Sequence, residues 1–206
     1  MLSELKNGKL IVVKDLKYTE MKKYLLIVFF AVSVAGLAQE SHEGAVKWMS
    51  FEQAIEKSKT EKRKIFIDVY TDWCGWCKVM DKNTFSEPQV AKILNEKFYP
   101  VKFDAEQTED VVFSGTTFKF VPSGNKGYHQ LAAALMNNQM SYPTVVFLDE
   151  EFRMIQPLPG YQKPEEFHKI VQFIGDDHYK KTKWDEWQSI YKSPYTAANK
   201  DSGGKK

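Results

Sequence analysis

Two cysteines, Cys74 and Cys77, have the spacing with the clearest chemical meaning in this sequence, within the stretch Trp-Cys-Gly-Trp-Cys-Lys. They stand between a buried-strand pattern and a helical pattern. A cysteine at the start of a helix has a lowered thiol pKa, because unpaired backbone N–H groups and the helix dipole stabilise its thiolate. The second cysteine follows one turn later, close enough to form a disulfide. The pair therefore supplies a nucleophile, Cys74, and a resolving thiol, Cys77, for thiol–disulfide exchange.

Two other uses of the cysteine pair stay open. A zinc site needs four ligands. The histidines show no paired ligand spacing: His42, His129, His168 and His178. A structural disulfide between such close residues closes a very small loop and adds little stability. Redox chemistry is the preferred interpretation, and the flanking Trp73 and Trp76 are expected to form an apolar docking surface beside an exposed sulfur.

Hydrophobic patterning predicts alternating strands and helices around the pair. The predicted strands are a short one at 45–48, then 65–70, 98–104, 143–149 and 152–156, with a hairpin over 110–121 that turns at Ser114-Gly115. The predicted helices begin at the capping boxes 50–53 and 86–89 and at Cys74, and cover 130–140, 164–175 and 179–191. This order predicts an α/β fold in which a central mixed β-sheet is flanked by helices. The charged stretch 57–64 is read as a solvated helix end and turn.

An acid, Asp68, interrupts the apolar strand 65–70. Within an apolar strand the neutral carboxyl is favoured, and the raised pKa suits proton transfer. The alternative is that Asp68 lies at an exposed strand end.

Composition limits the class of protein. The chain has 206 residues, of which 43% are hydrophobic and 14% aromatic, so one domain with a sizeable core is expected. Its 29 basic and 27 acidic residues give a net charge of +2, without the basic face that a nucleic-acid partner requires. Two cysteines exclude both a disulfide-stapled mini-protein and a four-cysteine zinc module.

The N-terminal region has the pattern of a targeting segment. Residues 21–38 combine a basic start, an apolar run and a small-residue exit, which predicts a signal peptide cleaved near Ala38. An uncleaved anchor is the alternative. Residues 1–20 are interpreted as an upstream extension before a true start at Met21, residues 39–192 as the folded domain, and residues 193–206 as a disordered tail. The predicted location is periplasmic or otherwise secreted, with a mature net charge of −1.

These motifs together resemble the thioredoxin superfamily. The resemblance rests on the cysteine motif, on the acid six positions before Cys74, and on Tyr142-Pro143-Thr144 before a strand, and it runs from about residue 45 to 175. More narrowly, the sequence is similar to secreted bacterial thioredoxin-like proteins and to the C-terminal domain of disulfide-interchange proteins of the DsbD type. The resemblance implies the thioredoxin fold.

The resemblance also implies roles for individual residues. Cys74 becomes the nucleophile and Cys77 the resolving thiol, while Asp68 matches the buried acid that relays a proton. Pro143 matches a cis-proline that faces the disulfide and, with Tyr142, pairs with an extended substrate. The alternative for Pro143 is an ordinary proline at the entry to a strand.

The sequence departs from the family pattern in three places. Gly-Trp stands between the cysteines where thioredoxin has Gly-Pro, so a redox potential cannot be transferred. The inserted hairpin at 110–121 is expected to have a structural role, such as covering a sheet edge, and contact with a substrate is the alternative. An extra C-terminal helix carries Trp184, Trp187 and Tyr191 as a stripe, which is expected to be a packing face.

The predicted function is a periplasmic thiol:disulfide oxidoreductase, acting as a reductase on protein disulfides. No cofactor is expected, since the chain shows no cofactor motif, and a membrane electron-relay protein is implied as the partner that resupplies electrons to a reductase in an oxidising compartment. The alternative is a non-catalytic, chaperone-like binding module that holds unfolded chains on the apolar surface of Trp73, Trp76 and Tyr142.

Overall fold

The computed structural model describes residues 45–195. The predicted upstream extension, the signal peptide and residues 196–206 of the predicted tail lie outside the described residues. Within the described part, no helix is both long and apolar enough to cross a membrane.

A four-stranded mixed sheet has the order β2-β1-β7-β8. Its strands are Lys64–Tyr70 (β1), Phe98–Asp104 (β2), Thr144–Leu148 (β7) and Met154–Pro159 (β8). Strand β1 pairs in parallel with β2 and antiparallel with β7, and β7 pairs antiparallel with β8. The predicted central mixed sheet is confirmed.

Helices lie on both faces of this sheet. They are Phe51–Ser58 (α1), Gly75–Met80 (α2), Pro88–Lys97 (α3), Gln130–Leu135 (α4), Pro164–Gly175 (α5) and Trp184–Ile190 (α6), with a π-helical turn at Asp81–Phe85 and a 3₁₀ turn at His178–Lys180. The capping box at Ser50 and Gln53 is confirmed. The second predicted capping box is wrong, because the N-cap of α3 is Glu87 without a side-chain bond, and the Ser86 hydroxyl instead donates to the carbonyl of Lys82.

Two hairpins, not one, separate β2 from α4. The first joins Val111–Phe113 (β3) to Thr116–Phe118 (β4), and the second joins Phe120–Ser123 (β5) to Lys126–His129 (β6). The predicted turn at Ser114-Gly115 is confirmed, with φ angles of 50° and 76°.

Where the second hairpin lies, the sequence predicts a glycine-rich connection followed by a helix that reaches Met140. That helix in fact ends at Leu135. Asn137 and Asn138 follow with φ angles of 52° and 61°, a left-handed conformation that continues no α-helix.

The side chains of β1 alternate between two cores, one on each face of the sheet. Ile65, Ile67 and Val69 belong to the core under α1 and α4. Phe66 belongs to the other core, with side chains from the α2–α3 region and α5. Asp68 has the same parity as Phe66, so its carboxyl points into the α2–α3 side.

At each edge of the sheet, some backbone hydrogen-bonding groups are either covered or missing. The predicted strand at 45–48 is instead a single parallel bridge, in which Met49 exchanges backbone hydrogen bonds with β2 at 3.0 and 3.2 Å and covers its outer edge. The edge strand β8 carries Pro157 and Pro159.

The predicted packing face of the C-terminal segment lies against α5, but the single helix predicted over 179–191 is wrong: a 3₁₀ turn at His178–Lys180 is followed by the separate helix α6. Trp187 is 5% exposed and stacks on His178 at 4.1 Å, while Trp184 meets Phe173 edge-on at 5.1 Å. Of the predicted tail, Tyr195 is described, and its ring lies against His168 at 6.0 Å.

The prediction that residues 57–64 form a solvated helix end and turn is wrong at Lys64. Its side chain is only 4% exposed, and its ammonium lies 2.7 Å from Glu150 and 2.7 Å from Asp177. This ion-pair group ties the start of β1 to the turn after β7 and to the C-terminal segment.

Candidate functional site

A disulfide joins Cys74 to Cys77 at the start of α2, with a Cα–Cα distance of 5.3 Å. Cys74 is the N-cap residue, and its sulfur accepts a hydrogen bond from the backbone N–H of Cys77 at 3.0 Å. The backbone of Cys74 donates in turn to the carbonyl of Thr71 at 3.1 Å. The sulfur of Cys74 therefore lies at the positive end of the helix, where a thiolate is stabilised.

The two cysteines are almost equally buried. Cys74 is 4% exposed and Cys77 is 3% exposed, so the expectation of an exposed sulfur at Cys74 is wrong for the disulfide form. The difference between the two residues lies in their place on the helix: Cys74 caps it and Cys77 lies within its first turn.

Two exposed tryptophans border the disulfide. Trp73 and Trp76 are 55% and 60% exposed, which agrees with the predicted apolar surface. Trp76 lies against Tyr161, with ring centroids 5.5 Å apart. Trp73 meets Tyr142 edge-on at 5.7 Å, and its indole N–H donates to the Glu106 carboxylate at 3.0 Å.

The contact between Trp73 and Tyr142 brings the segment before β7 to the disulfide. The Tyr142–Pro143 peptide bond is cis. The carbonyl of Pro143 accepts a hydrogen bond from the backbone of Gly160 at 2.8 Å. The structure thus assembles Trp73, Cys74 and Tyr142 from segments far apart in the sequence.

Asp68 lies in the middle of the sheet, 1% exposed, so the alternative of an exposed strand end is wrong. One carboxylate oxygen lies 2.6 Å from the Lys102 ammonium, and the other has no hydrogen-bond partner among the described residues. Burial raises the pKa of Asp68 to about 6; the Lys102 charge opposes this rise and the Asp81 charge adds to it. A carboxyl with this pKa can gain or lose a proton close to neutral pH.

Lys102 is the site residue that sequence reasoning missed. Its ammonium lies between the carboxylates of Asp68 and Asp81 and within 4.9 to 5.6 Å of the ring centroids of its aromatic neighbours Trp48, Tyr70 and Phe85. Burial lowers its pKa, but the two carboxylates outweigh this effect and raise it above its ordinary value.

The sequence did contain a signal for Lys102: a charge inside the apolar strand 98–104, like Asp68 inside 65–70, whereas the other charged residue of that strand, Asp104, stands at its end. The missing information was the register, which pairs Asp68 with Lys102 across β1 and β2.

A cleft of about 470 Å³ gives solvent access to this group of charges. Its lining residues come from the segment before α1, the π-helical turn and β2: Ala45, Val46, Trp48, Asp81, Phe85, Ser86 and Lys102. The Asp81 side chain is 42% exposed. Buried Asp68 is thus linked through Lys102 to a carboxylate that water reaches.

Within residues 45–195, no group of three or more His, Cys, Asp or Glu side chains is placed to hold a metal ion. His129 has both ring nitrogens engaged, one toward the Glu109 carbonyl at 3.1 Å and one accepting from the Leu131 backbone at 3.2 Å.

Comparison with protein families adds a second line of evidence. The family model Thioredox_DsbH, described as "Protein of unknown function, DUF255", matches residues 33–188. The chain belongs to this family. Together with the fold described above, membership places it in the thioredoxin superfamily and makes it similar to DsbD domains.

Individual relatives match shorter stretches. Spermatogenesis-associated protein 20 of Rattus norvegicus is 32% identical over 93 residues, which is 45% of this chain and 12% of that protein. The thiol:disulfide interchange protein DsbD of Pseudoalteromonas atlantica is 35% identical over 66 residues, or 31% of this chain and 11% of that protein. This chain therefore corresponds to a small part of each of these proteins.

A solved structure supports the fold. A thioredoxin-fold protein from Helicobacter pylori superposes with a TM-score of 0.50 at 19% identity, with 73% of this chain and 89% of that chain covered. At this identity the likeness concerns the fold alone.

Proposed function

We propose that the protein is a thiol:disulfide oxidoreductase that reduces disulfides of protein clients. The observation that carries the proposal is the disulfide at the N-terminus of α2, with the sulfur of Cys74 on the helix cap. Membership in a thioredoxin-like family and the local similarity to DsbD support it.

In the reduced protein, the thiolate of Cys74 attacks one sulfur of a client disulfide. The Cys74–client bond forms, the client S–S bond breaks, and one client thiol leaves. The thiolate of Cys77 then attacks the sulfur of Cys74, which re-forms the internal disulfide and releases the second client thiol. Two electrons pass to the client, and the protein is left oxidised.

Asp68 is proposed to accept the proton that Cys77 loses as it attacks. A carboxyl with a pKa of about 6 is substantially ionised at neutral pH and still basic enough to take a proton. Lys102, an ammonium with no lone pair, would stabilise the carboxylate form to which Asp68 returns, and the proton would leave through water in the cleft beside Lys102 and Asp81.

Client binding is assigned to Trp73, Trp76, Tyr142 and Pro143. The two tryptophans offer exposed apolar area beside the disulfide. The segment at Tyr142–Pro143, which Trp73 contacts, would pair with an extended client backbone.

The direction of electron flow is proposed from what surrounds Cys74. Strong oxidants of this class heavily stabilise the thiolate of the reduced form. The residue before Cys77 is Trp76, which is exposed and uncharged, and Lys78 is exposed to solvent. We therefore expect a reduction potential nearer to the roughly −270 mV of thioredoxin than to the roughly −120 mV of DsbA.

Equilibration of the protein with glutathione buffers measures this potential. A value more oxidising than about −150 mV would contradict the assignment as a reductase. A reductase in an oxidising compartment needs its electrons replaced, so a membrane electron-relay protein is the proposed partner.

Location outside the cytoplasm is proposed from residues 21–38 alone. Mass spectrometry of the exported protein should find an N-terminus near Gln39. An exported form that keeps residues 1–38 would contradict cleavage near Ala38.

The main test uses two matched variants. Cys77→Ser should accumulate mixed disulfides through Cys74, because no resolving thiol remains, and Cys74→Ser should accumulate none. Gel analysis of extracts treated with and without reductant reads out both. Equal trapping by the two variants would contradict the assigned roles.

The chaperone-like alternative has its own observation, the exposed indoles of Trp73 and Trp76. A holdase should still suppress aggregation of an unfolded chain after both cysteines are replaced by serine. An oxidoreductase with the same substitutions should lose all disulfide reduction.

A further inference from the structure

The inserted hairpins are anchored beside the disulfide. At the end of β6, the backbone N–H of His129 donates to the carbonyl of Ala105 at 2.6 Å, and the ring of His129 contacts the carbonyl of Glu109 at 3.1 Å. These bonds attach the second hairpin to the loop that follows β2. The same loop carries Glu106, which holds the indole of Trp73.

Lys126 reaches from this hairpin to the residue before the nucleophile. Its ammonium lies 4.4 Å from the ring centroid of Trp73, an attractive cation–π geometry. Lys126 is the first residue of β6, just after the turn at Gly124. The next residue, Gly127, has no room for a Cβ, which would lie 2.2 Å from the ring of Phe120. The path of the chain that presents Lys126 is therefore sterically defined.

Three groups from three segments hold Trp73. Lys126 covers one face of the indole, Glu106 binds its N–H at 3.0 Å, and Tyr142 contacts its edge. Even so, 55% of Trp73 stays exposed. A client that docks at the disulfide must therefore meet the indole with the Lys126 ammonium beside it.

The surrounding rim is acidic. Asp104 ends β2, and Glu106 and Glu109 follow in the next loop; the Glu106 backbone N–H donates to the Asp104 carboxylate at 2.9 Å, while the Glu106 carboxylate binds the indole of Trp73. Within residues 45–195, the Lys126 ammonium forms no ion pair with any of them. Its positive charge is thus available to a client.

We propose that Lys126 is a specificity-determining residue of the client groove, which selects protein disulfides with an aspartate or glutamate next to the attacked cysteine. The ammonium receives the acidic side chain at Trp73, and the neighbouring carboxylates repel acids placed elsewhere, so attraction and repulsion together define one position. This inference rests on the proposed disulfide-reductase function.

The test compares disulfide peptides that differ only in the residue beside one cysteine: Asp, Ala or Lys. We expect the reduced protein to show a higher kcat/KM for the Asp peptide than for the Ala peptide. Lys126→Ala should lower this ratio about two- to fivefold, as for an exposed ion pair. Lys126→Glu should invert it in favour of the Lys peptide, and Lys126→Arg should preserve it.

Lys119→Ala is the matched control. It removes the same charge from the same insertion, but Lys119 pairs with Asp110 and has no ring contact with Trp73. An unchanged ratio in Lys126→Glu, or an equal change in Lys119→Ala, would overturn the inference. Reduction of hydroxyethyl disulfide, which carries no charge, separates the two proposals. If the wild type fails to reduce it, the proposed function is wrong as well. If all variants reduce it equally while the peptide ratio stays constant, only the role of Lys126 is wrong.

Discussion

Lys64 and Lys102 each lie between two carboxylates, but the pKa values of the acids beside Lys64 and of Asp68 beside Lys102 are shifted in opposite directions. Lys64 lies between Glu150 and Asp177, whose pKa values burial raises but the hydrogen bonds to Lys64 lower below their ordinary range. Lys102 lies between Asp68 and Asp81. There the pKa of Asp68 is raised to about 6 by burial, although its cation is just as close.

The difference between these pKa shifts follows from how exposed each carboxylate is to solvent. The side chains of Glu150 and Asp177 are 30% and 38% exposed, whereas Asp68 is 1% exposed. The free-energy cost of removing a fully buried carboxylate from water exceeds the stabilisation that one neighbouring ammonium provides. A neighbouring cation therefore does not by itself decide whether a carboxyl group is ionised. The ion pairs of Lys64 link the start of β1 to the C-terminal segment through acids whose pKa values are lowered, while Asp68 beside Lys102 has a pKa of about 6, close enough to neutral pH for the carboxyl to gain or lose a proton.

The largest expected effect that tests this contrast is on the rate of the resolving step. Asp68→Asn keeps the shape of the side chain but carries no exchangeable proton, so we expect the mixed disulfide to resolve about a hundredfold more slowly at pH 7. The deficit should shrink toward pH 9, where Cys77 ionises without help. Rapid-mixing measurement of client release from pH 6 to 9 reads this out.

Asp81→Asn is the control, because it leaves Asp68 in place and removes only the exposed carboxylate of the pair. Its effect should be much smaller. Identical rates for Asp68→Asn and the wild type from pH 6 to 8 would mean that Asp68 is purely structural.

The second-largest expected effect is a loss of stability when Lys64 is replaced. Lys64→Met leaves Glu150 and Asp177 without their buried partner, and we expect the free energy of unfolding to fall by about 2 kcal/mol. Lys180→Met is the control: its ammonium touches Asp177 at 2.9 Å but is 46% exposed, so the loss should stay below about 0.5 kcal/mol. Urea denaturation measures both, and equal losses would show that burial of the lysine is irrelevant.

The smallest effect concerns the pH dependence of stability. The folded pKa of Asp68 lies above its ordinary 3.8, so its favourable contribution is present below about pH 4 and is lost as the pH rises through about 6. We expect the stability gain of Asp68→Asn over the wild type to grow by about 1 to 2 kcal/mol from pH 5 to pH 8.

Glu150→Gln should behave in the opposite sense, because the folded pKa of Glu150 is lowered. Its native charge stabilises the fold above the unfolded pKa and loses that effect as the pH falls. Denaturant midpoints at about pH 5 and pH 8 test Asp68→Asn, and midpoints at about pH 3 and pH 6 test Glu150→Gln. A shared pH trend would contradict the contrast between the two lysines.

The sequence was sufficient for features that depend on local pattern. The cysteine motif, the capping box at Ser50, the turn at Ser114-Gly115 and the bounds of α5 follow from residue type and spacing over a few positions. The burial of Asp68 followed from its apolar strand.

Features that depend on register or on distant segments were not predictable. Lys102 faces Asp68 only because β1 and β2 pair in one parallel register. Lys64 was misread because its carboxylates come from positions 150 and 177. The second hairpin was missed because Pro122 and Gly124 are typical of irregular connections, whereas here they lie at and beside a paired strand end.

The treatment of the sheet edges has a consequence for aggregation. Pro157 and Pro159 remove two backbone donors from the edge strand β8, and Met49 occupies the outer side of β2. Exposed edges are where chains join by strand addition, which leads to oligomers and fibrils. A protein that handles partly unfolded clients at high local concentration would be especially exposed to such recruitment. The prolines and Met49 therefore leave fewer free backbone donors and acceptors at the two sheet edges for another chain to pair with.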